Sequence, residues 1–467
     1  MKRLRILAIS ALLPQPRGQQ GGCPALWQTA NGYARAGHEF HYLTVYPPLQ
    51  PVDAAAFGGP RRHVGINGWH LHKIRVPFLP VLRRLAWMQR CGPAPLQRIQ
   101  ELIQCAAATT FFLLFSLAAG SAAVRLARAR RIDVIYAFNE YASWAAWYAA
   151  RRCNALHIRR LLGSFLPQIM NMFAWPIRYP VPWMGLITPC DRLIITDDGT
   201  WAAQLAGHLS SPDRLLLWNN GVRSDLYPPS LPRAALRAQL NLPPDKKILL
   251  YLGRLGFYDG FKRTDRLAAA LRRLRNDFLM VIVGPGRDAD RLARYARQLG
   301  AGQVLRFVGG VSYQQVPDWY NAADLFIQLF DIANWSNSLT EAMACRLPVI
   351  VRRDASTASR LQDGVHALLV DADDLPQQIR AVQRVLDEPG LASSLARAAA
   401  KWIDRHYGTW QQRIDREIEL VSQLLGAGHA LRNSAPPENN HTAEPPGPIY
   451  PSTRARPTAG SLSQAGS

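Results

Sequence analysis

The residues with the clearest chemistry lie in two short stretches of the C-terminal half. In residues 331–351 (DIANWSNSLTEAMACRLPVIV), Asn337 or Ser338 can cap a helix whose body, residues 339–345, holds strong helix formers, and Pro348 opens the strand that follows. A helix N-terminus offers N–H groups without intrahelical acceptors and a positive dipole end, a ready site for an anion such as diphosphate. Glu341 stands one turn inside. Ionised, it can accept hydrogen bonds from hydroxyl groups, or it can simply stabilise its own helix as an early acid by about 0.3–1 kcal/mol. The second stretch, residues 251–266 (YLGRLGFYDGFKRTDR), carries Arg254 and Lys262 in a Gly-containing segment after an apolar strand. At the carboxyl end of a parallel sheet two such cations can neutralise charge on a diphosphate; elsewhere each would be a surface salt-bridge partner.

The elements that must position these side chains are short apolar runs separated by helical or turn-rich segments. Such runs occupy residues 5–12, 40–45, 133–137, 192–196, 248–252, 279–283, 304–308, 325–329 and 349–351. The first of them is followed by a loop with Gly18, Gly21 and Gly22, a helical stretch and a second strand, which is the start of a parallel βαβ unit. Two doubly wound sheets fit 467 residues better than one. Pro, Gly and Asn interrupt the pattern over residues 219–244, a boundary signal. After residue 427 the chain turns rich in Pro, Ser, Gly and Asn with few large apolar residues, so a disordered tail is expected.

Composition narrows the partners. Lys and Arg number 55 against 33 Asp and Glu, a formal charge of +22, which points to anionic ligands or surfaces. Residues 1–200 hold 23 basic against 8 acidic side chains, so most of the excess lies there. Six cysteines show no paired spacing and no zinc pattern, consistent with a reducing compartment. Residues 1–13 have the basic start and apolar run of a signal peptide but no small-x-small cleavage site, and are read as a buried first strand. Residues 102–124 contain no charge over 23 positions, long enough to cross a bilayer, although their Ala, Ser, Thr and Gln content suits a core helix better. Just upstream, residues 73–98 mix six Lys or Arg with Phe78, Leu79, Leu82, Leu85, Trp87 and Met88, and no acid. Residues 73–124 are therefore a candidate face for an anionic membrane surface, with an ordinary solvated helix face as the alternative.

The order of motifs adds specificity. Gly253-Arg254-Leu255, then Lys262, VGPG at 283–286, RFVGGV at 306–311, NAADLFI at 321–327, TEAMAC at 340–345, LPVIV and DGVHALLV at 363–370 resemble the C-terminal half of glycosyltransferase family 4. Gly21 and Gly22, GHEFHYLTV, DVIYA at 133–137, TDDGT at 196–200 and NNGV at 219–222 agree more loosely in the N-terminal half. The resemblance implies an α/β protein of GT-B architecture, two Rossmann-like domains facing a central cleft. It implies retaining transfer from a nucleotide-diphosphate sugar without a metal or other cofactor. Residues 1–222 would form the acceptor domain, 223–405 the donor domain, 406–426 a helix returning to the first domain and 427–467 the tail.

By the same resemblance Gly22 would approach the donor phosphate, Arg254 and Lys262 would hold the diphosphate, and Glu341 would hold the ribose. Backbone groups around Ser338 and Leu339 would complete the phosphate cradle beside Asn337. The family's usual acid eight positions before Glu341 is Ala333 here, so Asp331 or Asn334 is the candidate substitute. On the acceptor side, Asn139 and Glu140 follow the DVIYA strand, and Arg159 and Arg160 are candidates for an acceptor phosphate.

The expected protein is a cytoplasmic transferase, peripheral at the inner face of the plasma membrane, acting on a lipid-linked or polysaccharide acceptor. A non-catalytic GT-B-like scaffold is the alternative that Ala333 keeps open, and no nucleic-acid reading module is recognisable. Gly284-Pro285-Gly286 reads as a strand-end turn, and His70 with His72 on one strand face lack an evident third metal ligand.

Overall fold

The computed structural model describes residues 3–12, 24–47, 62–86, 94–162, 175–198, 214–255, 261–286, 289–330 and 335–426. Gly22, Asp331, Asn334 and residues 427–467 lie outside the described residues, as does the side chain of Lys262.

The first sheet contains β1 (Arg5–Ser10), β2 (Glu39–Val45), β3 (His63–Ile66), β4 (Trp69–Ile74), β5 (Val134–Phe138), β6 (Leu156–Leu161), β7 (Arg192–Thr196) and β8 (Leu215–Trp218). Their spatial order is β3-β4-β2-β1-β5-β6-β7-β8, parallel except for the β3–β4 edge. The run predicted from residue 5 is thus the central strand β1, buried on both faces as a near-continuous apolar sequence requires. Alternation assigns its sides. Ile6 and Ala8 join a core with helix α1 (Pro24–Arg35), whereas Leu7 and Ile9 join one with α3 (Ala94–Arg130) and α4 (Ser143–Cys153), which follow the short α2 (Leu79–Ala86). Each buried Leu or Ile among them contributes about 1.5–3 kcal/mol relative to exposure.

The 37-residue α3 contains the charge-free segment. Ala107, Phe111, Phe115, Ala119 and Ala123 pack it into the first domain's core, yet only 28% of its most apolar stretch is buried. Leu102 and Leu117 on its outer side are 68% and 71% exposed.

The second sheet is fully parallel: β9 (Lys247–Leu252), β10 (Phe278–Val283), β11 (Leu305–Gly309), β12 (Leu325–Gln328), β13 (Val349–Arg352) and β14 (Leu368–Val370), in the order β11-β10-β9-β12-β13-β14. Strand order therefore reverses between β9 and β12 here, and between β1 and β5 in the first sheet. Ligands of open α/β sheets bind outside the carboxyl ends at such switch points.

Two crossings join the sheets side by side. Val222 bridges Thr409, the Val222 N–H donates to the Gly408 carbonyl at 3.0 Å, and the Trp410 N–H donates to the Val222 carbonyl at 3.1 Å. A Cβ on Gly221 would lie 2.4 Å from the Trp410 backbone, so a side chain there would force the crossings apart. Beyond the second crossing, helix Trp410–Gly426 lays Ile414, Ile418 and Val421 onto the first sheet's core.

Candidate active site

The Arg254 loop and the start of the helix that carries Glu341 lie at the β9/β12 switch point. Arg254 follows β9, is exposed, and its carbonyl accepts a hydrogen bond from the Tyr251 hydroxyl at 3.2 Å. The loop is held from below. The Gly253 N–H donates to Val283 at 3.0 Å and the Leu255 N–H to Pro285 at 2.9 Å, so the Gly284-Pro285-Gly286 segment is a strand-end turn that buttresses the Arg254 loop. Gly284 has φ +151°, and a Cβ there would fall 1.7 Å from the Gly253 carbonyl oxygen. Lys262 lies in the first turn of helix Phe261–Arg272. One turn further, Asp265 is fully buried, with no hydrogen-bond partner for either oxygen, and burial lifts its carboxyl to about 8.

Across the switch point begins helix Asn337–Ala344. Its cap is Ser336, not Asn337 or Ser338 as expected. The Ser336 hydroxyl accepts from the Leu339 N–H at 3.2 Å and donates to Gln328 Oε1 at 2.6 Å, which anchors the cap to the end of β12. The Leu339 N–H is therefore already engaged, and the first-turn N–H groups without an intrahelical acceptor are those of Asn337 and Ser338. The Asn337 side chain instead accepts from Asn220 Nδ2 at 3.2 Å, a contact between the crossing segment and this helix.

Glu341 is buried in this helix at 9% exposure. Tyr320 donates to its Oε2 at 3.2 Å and to the Ser338 carbonyl at 3.1 Å. Burial pushes the carboxyl up to about 7, opposed by the positive charge of Arg223 and the Tyr320 hydrogen bond and assisted by Asp225. Arg223 is itself committed to Asp225, with Nε to Oδ1 at 2.8 Å and Nη2 to Oδ2 at 2.5 Å, and stacks 4.2 Å from the Tyr313 ring centroid. The compensation of Glu341 is thus partial. Tyr313 also hydrogen-bonds Gln28 of α1, and Arg360 pairs with Asp197 after β7 at 2.6 Å, so contacts cross between the two sheets.

On the first sheet, Asn139 and Glu140 follow β5 at the β1/β5 switch point. Asn139 has φ +71°, donates from Nδ2 to Ser10 Oγ at 3.2 Å, and its buried Oδ1 has no partner. Burial raises the Glu140 carboxyl, against its own backbone N–H and Arg159. Arg159 corrects the expectation made for it. It is 1% exposed on β6, and its guanidinium donates to the carbonyls of Gly185, Leu186 (3.3 Å) and Thr188 (2.8 Å), which ties β6 to helix Pro180–Ile187 and commits both terminal nitrogens to the protein rather than to an acceptor phosphate. Arg160 is equally buried, bonded to Thr29 at 2.6 Å and ion-paired with Glu417 at 3.3 Å.

His70 and His72 are joined by His41 and His63, yet among the described residues no group of three or more His, Cys, Asp or Glu could hold a metal ion. Arg223, Tyr320 and Ser336 went unrecognised from sequence. Each directly adjoins or lies within a quoted motif, but nothing in residue type marks it until the fold brings it to Glu341.

This two-sheet architecture with facing switch points is GT-B. A sucrose-phosphate synthase from Thermosynechococcus elongatus superposes with a TM-score of 0.66 at 19% identity, covering 91% of this chain and all of that one. Anabaena Alr3699/HepE in complex with UDP-glucose gives 0.65 at 15% identity, with 90% and 100% covered. Residues 232–402 match the family model for glycosyl transferases group 1, which spans β9 to β14 and therefore Arg254, Lys262 and Glu341. A D-inositol 3-phosphate glycosyltransferase 2 of Catenulispora acidiphila is 33% identical over 263 residues, 53% of this chain and 59% of that protein. The aligned part thus spans about three fifths of that relative's length.

Proposed function

We propose that the protein is a glycosyltransferase of family 4 type that moves a sugar from a nucleotide-diphosphate sugar to an acceptor hydroxyl with retention at the anomeric carbon. One observation carries the reading: Glu341, buried and incompletely compensated, stands one turn inside a helix whose first N–H groups open on the β9/β12 switch point. Ribose hydroxyls donating to Glu341 would favour its ionised form, and the diphosphate would meet the helix start, Arg254 and Lys262. The match of this half to group 1 transferases, and the UDP-glucose held by the Anabaena neighbour, support a nucleotide-sugar donor.

In the proposed step the acceptor oxygen forms a bond to the anomeric carbon from the face on which the nucleotide leaves. The bond between that carbon and the diphosphate oxygen breaks, and the diphosphate takes the acceptor's proton. Arg254 and Lys262 stabilise the charge that develops on the leaving group. No resident metal or cofactor enters this step. Asp331 or Asn334 would reach the donor sugar in place of the family's first acid. Asn139, with its buried unpartnered Oδ1, and Glu140 would meet the acceptor.

The acceptor is proposed to be a lipid-linked or cell-surface glycan, met at the cytoplasmic face of the membrane. The exposed apolar side of α3 and Phe78, 74% exposed just before α2, support that setting. The test is mass spectrometry of products formed from membrane lipid extract and a mixed nucleotide-sugar pool. A new glycosylated product that disappears with Lys262→Ala and with Glu341→Ala is expected. Near-normal turnover by either folded variant would remove that residue from the mechanism, and no product from any donor would favour a non-catalytic scaffold.

A further inference from the structure

A second cationic cluster lies at the β3–β4 edge of the first sheet. A cavity of about 690 Å³ opens between the β3–β4 edge of the first sheet and the C-terminal half of α3. Its lining includes Arg62, His63, His72, Lys73, Arg75 and Arg125, and no carboxylate lines it among the described residues. The helix wall consists of Ala118, Ser121, Ala122 and Ala129 with Leu126, so small side chains make the room and Ser121 adds a hydroxyl. None of these residues adjoins Asn139, Arg254 or Glu341 in sequence.

The cavity's surroundings add polar imidazole rings rather than further charge. His41 and His63 each stack on His70 and lie tilted against His72, with ring centroids 4.9–5.3 Å apart, and His41 Nδ1 lies 3.0 Å from His72 Nε2. The one acid of this group, Glu39, is bonded to His41 Nε2 at 2.8 Å. Burial, the other imidazoles and Arg130 push His72 down to about 3, so it stands neutral among cations. A group of several acceptor oxygens and more than one negative charge would complement this lining of guanidinium, ammonium, imidazole and hydroxyl groups; a phosphate ester has that chemistry.

We propose that the cavity between β4 and α3 binds a phosphate ester, at a site separate from the one assigned to the nucleotide sugar. The chemistry is shared by a free phosphorylated metabolite and by a phospholipid headgroup. The exposed Leu113 and Leu117, on the helix turn next to Ala118 and Ser121, would lie against acyl chains in the second case. The site does not depend on the transferase reading, since its assay is binding alone.

The test compares the full chain with an Arg62→Ala/Arg125→Ala variant. Both positions are exposed, and an unchanged thermal melt establishes that the variant is folded. One arm titrates glycerol 3-phosphate by calorimetry; the other measures co-sedimentation with vesicles of phosphatidylglycerol in phosphatidylcholine. The expected result is a loss of affinity of about tenfold or more in at least one arm, with binding that weakens as salt rises. Loss in the soluble arm identifies a free phosphate ester, and loss in the vesicle arm alone identifies a lipid headgroup. Glu341→Gln should bind as the unmodified chain does in both arms, which separates this site from the cleft. Equal binding by the folded double variant in both arms, or no binding by the unmodified chain in either, overturns the proposal. If the double variant melts early, Arg125→Glu alone replaces it under the same criteria.

Discussion

Two buried glutamates, each on a helix, sit in opposite electrostatic conditions. Glu417, fully buried where helix Trp410–Gly426 meets the first sheet, accepts from Arg413 at 2.6 Å and pairs with Arg160 at 3.3 Å. Burial would raise its carboxyl, but Arg160, Arg413 and a Tyr136 hydrogen bond overcome that and hold it below the usual range. Glu341 has one tyrosine hydroxyl and the partial influence of an arginine already paired with Asp225, and burial wins. The first arrangement is closed in charge: two arginines converge on Glu417 Oε2, and the pairing fastens the returning helix to the domain it left. The second is open, and further hydrogen-bond donors from a ligand would complete it.

Breaking the closed arrangement should have the largest effect. Glu417→Ala leaves Arg160 and Arg413 buried without their counter-charge, and a loss of about 3–5 kcal/mol in urea unfolding is expected. An unchanged midpoint would mean that the cluster is not what fastens the helix.

The open arrangement should respond with the other sign. The Glu341 carboxyl is raised in the folded chain, to about 7 from 4.5, so the folded state binds the proton more tightly. Its contribution is present below the unfolded value and is lost as pH rises through about 7. Glu341→Gln should therefore stabilise the protein at pH 8 by on the order of 1–3 kcal/mol, and by far less at pH 4. Thermal melts at the two pH values check this, and equal shifts would contradict it.

The smallest effect isolates the helix start from the carboxylate. Ser336→Ala removes the cap on Leu339 and the bond to Gln328, and should lower stability by about 1 kcal/mol while leaving the Glu341 pH dependence in place. Chemical unfolding at two pH values separates the two contributions.

The same contrast explains what the sequence made legible. Strands buried by apolar residues alone, such as β7 at Arg192–Thr196 and β9 at Lys247–Leu252, were readable as apolar runs to within a residue or so. Strand β6, LHIRRL, was not, because His157, Arg159 and Arg160 break the apolar pattern although all six residues are buried. The two arginines are answered by carbonyls near residue 186 and by Glu417, partners that only the fold brings together. The motif order made the Arg254 loop and the Glu341 helix legible as elements. It gave no sign that Arg223 influences Glu341, 118 positions away, or that Ser336 rather than its neighbours caps the helix. Arg159 is hidden for the same reason, since an arginine within a short strand looks alike in sequence whether it faces a ligand or three carbonyls.

The central claim is that Glu341 is left open for a nucleotide sugar. Isothermal titration of the purified full chain with a panel of nucleotide-diphosphate sugars, repeated on Glu341→Ala, tests it most directly. At least one donor is expected to bind the unmodified chain, and the variant, folded by its thermal melt, to bind it at least about tenfold more weakly, a difference of about 1.4 kcal/mol. Equal affinity in the two proteins, or no binding of any donor to the unmodified chain, would contradict it.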